Sequence, residues 1–180
     1  PEWHIADLGI LMAGMITVPI YPTITAEDYE YIMNNAEVKL CLVSDEELLD
    51  KVEGIRSNVS SLIDIYSFDS LTKCKNWDEI KSTGQGKNKD RIQEIMKGVK
   101  EDDLATLIYT SGTTGRPKGV MLSHKNLVSN SVASRERLPV GSEAKSLSFL
   151  PLCHVYERMV CYLYIYTGTS IYYAESLETI

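Results

Sequence analysis

Short apolar runs alternate with charged or amphipathic segments along most of the chain. Apolar runs of this length with few charges are typical of buried strands, and the longer segments between them have the length of helices. The runs lie at 18–21, 38–43, 62–66, 104–109, 120–123, 146–150 and 170–173. Helices are predicted at 3–16, 26–35, 45–58, 88–97, 126–137 and 156–166. This alternation predicts an α/β fold in which a mainly parallel sheet carries helices on its faces.

The first predicted helix is unusual, because residues 3–16 are apolar on nearly every face, and a buried helix followed by the strand at 18–21 is expected. The uncharged stretch 8–21 is shorter than the roughly 18 apolar residues that a transmembrane helix requires. Thr25 has the hydroxyl group typical of a helix N-cap, and acidic residues follow it in the first turn. Ser44 is predicted to cap the acidic helix 45–58 in the same way.

Composition and charge exclude some functional classes. The chain has 180 residues, 44% of them hydrophobic and 24% charged, with a net charge of −7, which is typical of an ordinary globular protein. Such acidity disfavours nucleic-acid binding, so no nucleic-acid partner is predicted. The window 104–150 differs, because it holds six basic and two acidic residues. This local positive charge suggests a site for a small anion.

The cysteines bear on both metal binding and cellular location. Cys41, Cys74, Cys153 and Cys161 are far apart and lack the spacing of a metal site. They are interpreted as reduced thiols of a cytoplasmic protein, and no metal ligand is predicted in this segment.

The chain is predicted to be a piece of a longer protein, since it starts at Pro1 without Met and stops just after a new element begins. Residues 1–102 are expected to form a first α/β part, in which the polar stretch 69–102 has the composition of a mobile surface connector. Residues 103–180 are expected to form a second part of the same domain.

Candidate chemistry is concentrated between two predicted strands, in residues 110–119, TSGTTGRPKG. The glycines allow the backbone to turn several N–H groups toward one point. Hydroxyl groups add short donors, and Lys118 supplies a compact positive charge. Because the ten residues include no acid, they suit a polyphosphate, which presents only acceptors.

Two other interpretations of this loop are weaker. A Walker P-loop continues as Gly-Lys-Ser/Thr into a helix, whereas here Pro117 precedes Lys118 and strand-like residues follow. A glycine-rich hairpin turn is the structural alternative, because Gly and Thr are common in turns. Tight hairpins need only about two to five residues, so a longer connection with two cations favours phosphate binding.

At residues 109–120, YTSGTTGRPKGV, the chain resembles the phosphate-loop motif of the adenylate-forming superfamily without a break. Residues 150–158, LPLCHVYER, resemble the next motif of long-chain fatty acyl-CoA synthetases in that superfamily. The opening PEWH and residues 18–23, VPIYPT, resemble the early helix and strand of the same enzymes. The resemblance implies the first part of the large N-terminal AMP-binding domain of such an enzyme.

The resemblance also implies a reaction, the ATP-dependent activation of a long-chain fatty acid. The carboxylate attacks the α-phosphorus of Mg²⁺-bound ATP to give an acyl-adenylate and pyrophosphate, and the thiol of CoA then displaces AMP. The residues implied to hold the ATP phosphates are Thr110, Ser111, Gly112, Thr113, Thr114, Gly115 and Lys118. Lys118 and His154 are the implied catalytic residues, and His154, Tyr156 and Glu157 are the implied substrate contacts. Arg116 is expected to point to solvent.

Each of these assignments has an alternative. His154 is equally interpretable as a structural hydrogen-bonding residue, and Glu157 and Arg158 as structural ion-pairing residues at a helix start. The whole protein could instead adenylate another carboxylic acid, such as an aryl or amino acid, or be a non-catalytic nucleotide-binding module. Peripheral contact of the complete enzyme with a membrane, and assembly into a homo-oligomer, both stay open.

The 180 residues by themselves are predicted to be inactive. In the family they resemble, the adenine pocket, the acidic Mg²⁺ ligand, the ribose-binding Asp and the C-terminal lid with its Lys all come later in the chain. We therefore expect no acid-dependent exchange of labelled pyrophosphate into ATP by this chain. Clear turnover in that assay would show the prediction to be wrong.

Overall fold

Helices and strands alternate along the chain in a computed structural model that describes residues 1–110 and 115–174. The helices are α1 (Glu2–Met12), α2 (Ala26–Asn35), α3 (Glu46–Ile55), α4 (Asp78–Gly84), α5 (Lys89–Gly98), α6 (His124–Arg137) and α7 (Val155–Thr167). The strands are β1 (Leu40–Val43), β2 (Asp64–Ser67), β3 (Lys75–Asn76), β4 (Leu104–Thr110), β5 (Lys118–Ser123), β6 (Lys145–Ser148) and β7 (Ser170–Tyr173). No described helix is both long and apolar enough to cross a bilayer.

The strands pair as predicted in two of three places. β1, β2 and β3 form a parallel sheet in that order, and β6 pairs with β7 in parallel. The α/β fold class with parallel strands is therefore confirmed. β4 and β5 differ, because they pair in antiparallel fashion, with Thr110 opposite Lys118. This geometry follows from a short connection that leaves room for no crossover helix.

The main apolar core lies between the β1–β3 sheet and helices α2 and α3. It contains Tyr29, Met33, Val43, Leu49, Val52, Ile55, Val59 and Ile65. Met33 and Val52 are fully buried, and burying an apolar side chain of this size stabilises a fold by about 1.5–3 kcal/mol. This core holds α2 in place, and α2 in turn contacts the hairpin described below.

The N-terminal helix departs from the prediction of a buried apolar helix at 3–16. It ends at Met12, and Ile5 and Met12 are 57% and 47% exposed, whereas His4 and Asp7 are buried. The predicted strand at 18–21 is not formed; Thr17 alone makes a bridge to Thr106 of β4. His4 and Asp7 are turned inward because their side chains have hydrogen-bonding partners there, Tyr173 and Arg158.

Helix starts show where local signals succeed and where they are off by one or two residues. Thr25 caps α2 as predicted, its hydroxyl accepting a hydrogen bond from the Asp28 amide at 3.1 Å. Ser44 does not cap α3; Asp45 does, accepting from the Leu48 amide at 2.9 Å, while the Ser44 hydroxyl donates to the Asp45 carboxylate. A carboxylate is the stronger acceptor at the positive end of a helix. α6 likewise begins at His124, with Ser123 as its cap.

The polar stretch 69–102 is folded in this structure. It contains the short strand β3 and the helices α4 and α5, the latter close to the predicted 88–97 helix. The Trp77 ring packs edge-on against Phe68 at 5.3 Å between centroids. The stretch thus has more regular structure than its connector-like composition indicates, and the division of the chain at residue 102 stays a prediction.

His4 joins α1 to β7 and generates a prediction on pH. Its Nδ1 lies 3.0 Å from the Tyr173 hydroxyl, and its Nε2 has no partner among the described residues. Burial lowers the pKa of His4 to about 4, and the positive charges of the amino terminus and Arg158 act in the same direction.

Because the unfolded chain binds a proton at His4 near pH 6.5 and the folded chain only near pH 4, stability is predicted to fall as pH drops through that window. The loss amounts to about 3 kcal/mol at most. Urea denaturation from pH 7 to pH 4 checks this. His4→Gln is expected to flatten the pH dependence, whereas His124→Gln is expected to retain it; equal slopes in both variants would contradict the assignment.

Candidate functional site

The predicted phosphate loop is carried by the β4–β5 hairpin. Thr110 ends β4 and Lys118 begins β5, so the two residues face each other where the arms of the hairpin open into the loop. Gly115 has a φ of +90°, a backbone conformation that favours glycine. Ser111, Gly112, Thr113 and Thr114 lie outside the described residues, and their predicted contacts with phosphate stay predictions. The loop thus joins two antiparallel strands, as the hairpin interpretation proposed. A hairpin loop can also bind phosphate, so both interpretations of the loop are retained.

Lys118 is available for an anion. Its side chain is exposed, and no carboxylate of the described residues forms an ion pair with Lys118 or Arg116. Arg116 was expected to point to solvent; it is exposed, but its guanidinium carbon lies 5.4 Å from the centroid of the Tyr31 ring. This cation–π contact holds one arm of the loop against α2.

Tyr109 fixes the end of the hairpin that carries the loop. Its hydroxyl donates a hydrogen bond to Asn35 Oδ1 at 2.5 Å, which connects β4 to the end of α2. Burial raises the pKa of Tyr109, so the phenol remains a donor. Gly119, opposite Tyr109, leaves room for that ring, because a Cβ there would lie 3.1 Å from Tyr109 Cζ. Sequence reasoning missed this support, although Tyr109 directly precedes the recognised loop and Gly119 is its last residue.

His154 and Tyr156 of the second motif lie on the surface at the start of α7. His154 is the N-cap, and its Nδ1 accepts a hydrogen bond from the Tyr156 amide at 3.3 Å. Tyr156 is 57% exposed. His154 is therefore a structural hydrogen-bonding residue through Nδ1, as the alternative interpretation proposed. Its other ring nitrogen, Nε2, can donate to a further group.

Glu157 points the other way. It is buried, and the Ser148 hydroxyl of β6 donates to its Oε1 at 2.5 Å. The partner of Glu157 is therefore a hydroxyl group and, among the described residues, not the basic side chain that the ion-pair alternative proposed. Its predicted contact with substrate stays a prediction.

Arg158 is the most extensively hydrogen-bonded side chain near the site and is fully buried. Its Nη2 and Nε donate to Asp7 at 2.6 and 3.3 Å. The same guanidinium donates to Thr106 Oγ1 at 2.7 Å, Thr17 Oγ1 at 2.8 Å and Tyr162 Oη at 2.9 Å. The Tyr162 hydroxyl also donates to Asp7. Burial raises the pKa of Asp7 above its ordinary value, and the nearby Arg158 opposes part of that rise. We call these five residues the Arg158 network.

Sequence reasoning anticipated an ion pair for Arg158 but not its partner. Asp7 and Arg158 are 151 residues apart, so no helical or strand spacing relates them. The signal that could have found the pair is that each lies in a mainly apolar helix with few charges, Asp7 in α1 and Arg158 in α7.

The thiols do not form a reactive centre. Burial raises the pKa of Cys153 and Cys161 to about 11, so both remain protonated at neutral pH. Cys153 is buried while its neighbour His154 is exposed, so the two side chains point in different directions. All four cysteines are free, and no cluster of metal-ligating side chains occurs in residues 1–110 and 115–174.

Comparison with known proteins agrees with the motifs. The sequence model of the AMP-binding enzyme family matches residues 1–179. The long-chain-fatty-acid–CoA ligase ACSBG2 of Xenopus laevis is 33% identical over 97% of this chain and 25% of its own length. Fatty acyl-CoA synthetase A of Dictyostelium discoideum is 35% identical over 95% of this chain and 26% of its own length. The chain thus spans about a quarter of these relatives.

Solved structures of larger proteins contain the same fold. ATP-bound MatB from Rhodopseudomonas palustris superimposes with a TM-score of 0.69 at 24% sequence identity, over 95% of this chain and 32% of that one. The architecture described above is therefore that of a segment within larger proteins.

The close approach of Gly119 to Tyr109 can be tested by one substitution and its control. Gly119→Ala is predicted to lower the free energy of unfolding by about 1–3 kcal/mol, because the new methyl group meets a buried ring. Gly54→Ala in α3, where a Cβ meets nothing within 4 Å, is predicted to raise it, by up to about 1 kcal/mol. Urea denaturation measures both, and equal effects would contradict the contact.

Proposed function

The chain belongs to the AMP-binding enzyme family, and we propose that it is the phosphate-binding part of a long-chain fatty acyl-CoA synthetase. The proposed reaction is ATP-dependent conversion of a long-chain fatty acid through an acyl-adenylate to acyl-CoA, with release of AMP and pyrophosphate. The observation that carries the proposal is the hairpin that presents the loop 110–119, with an exposed Lys118 lacking any described carboxylate partner.

The loop would act on the phosphates of ATP. Lys118 neutralises charge on the β- and γ-phosphates and steadies the departing pyrophosphate, as preorganised cations do in other phosphoryl-type transfers. The Thr110 hydroxyl, on the opposite arm, donates to the same group. Backbone amides around Gly112 and Gly115, and the hydroxyls of Ser111, Thr113 and Thr114, complete the proposed donor set.

The acyl substrate would approach the start of α7. His154 Nδ1 accepts the Tyr156 amide, so the proton of the neutral ring is on Nε2, which can donate to the fatty acid carboxylate. The positive end of the α7 dipole favours that carboxylate as well. Tyr156, exposed beside His154, is the second proposed contact. The names of the relatives support a long-chain fatty acid as the acid.

The remaining components are proposed by family membership. CoA is the acyl acceptor, and Mg²⁺ accompanies ATP as the charge-neutralising ion. We assign no Mg²⁺ ligand to the 180 residues. Contact with a membrane surface and self-association of the complete enzyme are compatible with this function.

Substitution of Lys118 in the full-length protein tests the proposal. Lys118→Ala and Thr113→Ala are each predicted to slow acid-dependent pyrophosphate exchange by about 100-fold or more, because each removes a proposed donor to the ATP phosphates. The matched control is Lys73→Ala, which removes an exposed lysine paired with Glu46 and should leave the rate unchanged. Wild-type rates for Lys118→Ala would remove the loop from the mechanism.

A substrate panel in the same assay separates the proposal from its alternatives. Palmitate is expected to support exchange far better than benzoate or alanine. A preference for benzoate or alanine would point to an adenylating enzyme for another acid. ATP binding by calorimetry without exchange on any acid would identify a non-catalytic nucleotide-binding protein.

A further inference from the structure

We propose that Arg158 is a positioning residue that sets the place of His154 relative to the phosphate loop. This inference rests on the proposed function. Arg158 is fully buried and touches no surface that a substrate could reach, so it acts through the residues it holds. The geometry that carries the inference is a side-chain hydrogen bond between the second motif and β4, the strand that leads into the phosphate loop, from Arg158 Nη1 to Thr106 Oγ1.

Each end of that bond lies close to a proposed site residue. On the helix side, the Arg158 amide donates to the His154 carbonyl at 3.2 Å, so His154 is one helical turn away. On the strand side, Thr106 and Thr110 are four residues apart in β4, which is about 13 Å along an extended strand. Both connecting segments are regular secondary structure and transmit position without a flexible joint.

Thr106 is itself held on its other side. Its hydroxyl donates to the Thr17 carbonyl at 2.8 Å, and the same carbonyl accepts from the Leu107 amide at 3.0 Å. The Thr17 amide donates to the Ala105 carbonyl at 3.1 Å. Thr17 therefore lies beside β4 like one residue of an added strand, and the Thr106 hydroxyl joins it to Arg158.

The fork shape of arginine accounts for its use here. Nε, Nη1 and Nη2 each have a described acceptor, and Asp7 takes two of these nitrogens at once. Lysine has one nitrogen and could not reach Asp7, Thr17 and Thr106 from one position. The result is that α1, β4 and α7 meet at one planar group.

The expected consequence is a specific change in kinetics. Reaction requires the carboxylate and the α-phosphorus to be about 3–3.5 Å apart and aligned. A shift of α7 against β4 misplaces a carboxylate at His154 relative to a triphosphate on the loop, while each substrate keeps its own contacts. The effect therefore falls on kcat rather than on the KM for ATP.

The test replaces the Thr106 hydroxyl by a methyl group in the full-length protein. Thr106→Val is expected to lower kcat of palmitate-dependent pyrophosphate exchange by about 10- to 100-fold with little change in the KM for ATP. Thr106→Ser keeps the hydroxyl and is expected to restore most of kcat. The matched control is Thr169→Val, which removes a buried hydroxyl bonded to the Gly141 carbonyl, outside the Arg158 network, and is expected to leave kcat unchanged.

Tyr162→Phe provides a second, milder variant if Thr106→Val does not fold. It removes the hydroxyl that accepts from Arg158 Nε and donates to Asp7, and it is also expected to lower kcat. Thermal melting of every variant confirms folding.

The outcomes separate this inference from the proposed function. Exchange by the wild type together with wild-type kcat in folded Thr106→Val or Tyr162→Phe overturns the role of Arg158 alone. An equal loss in Thr169→Val also overturns it, because the effect would then be one of general stability. Absence of exchange by the wild type with any acid overturns the proposed function and this role with it.

Discussion

A buried guanidinium must have a partner for its charge, and this constraint joins the start of the chain to β4 and α7. Removing Arg158 and Asp7 from water costs several kcal/mol for each ion, and only close pairing with full hydrogen bonding offsets that cost. The chain meets the requirement by bringing α1, the Thr17 bridge, β4 and α7 to one point. α1 consequently turns His4 and Asp7 inward and leaves apolar side chains such as Ile5 exposed.

The candidate site is held from two sides by different physical means. On one side, the apolar core around Met33 holds α2, and α2 fixes the hairpin through the bond between Asn35 and Tyr109. On the other side, the Arg158 network holds α7 against the middle of β4. The phosphate loop and His154 therefore share one rigid strand as their common support, which suits a reaction that depends on alignment.

Local signals predicted much of this fold. The hydroxyl at Thr25 and the apolar runs of β1, β2 and β7 carry their structural information within a few residues, so these elements lie close to where the sequence places them. Long-range pairing was out of reach. No local pattern shows that Asp7, rather than a neighbour in α7, pairs with Arg158. At the site, the motif indicated the loop and His154. It did not indicate that the Glu157 side chain is buried and accepts a hydrogen bond from Ser148.

A double-mutant cycle on Asp7 and Arg158 tests the central claim most directly. The free energy of unfolding is measured for the wild type, Asp7→Asn, Arg158→Met and the double variant. Each single substitution is predicted to cost about 3–5 kcal/mol, because it leaves the other charge buried without its partner. The double variant is predicted to cost no more than the worse single one. Additive losses would contradict the account, since they would show that the two side chains stabilise the fold independently.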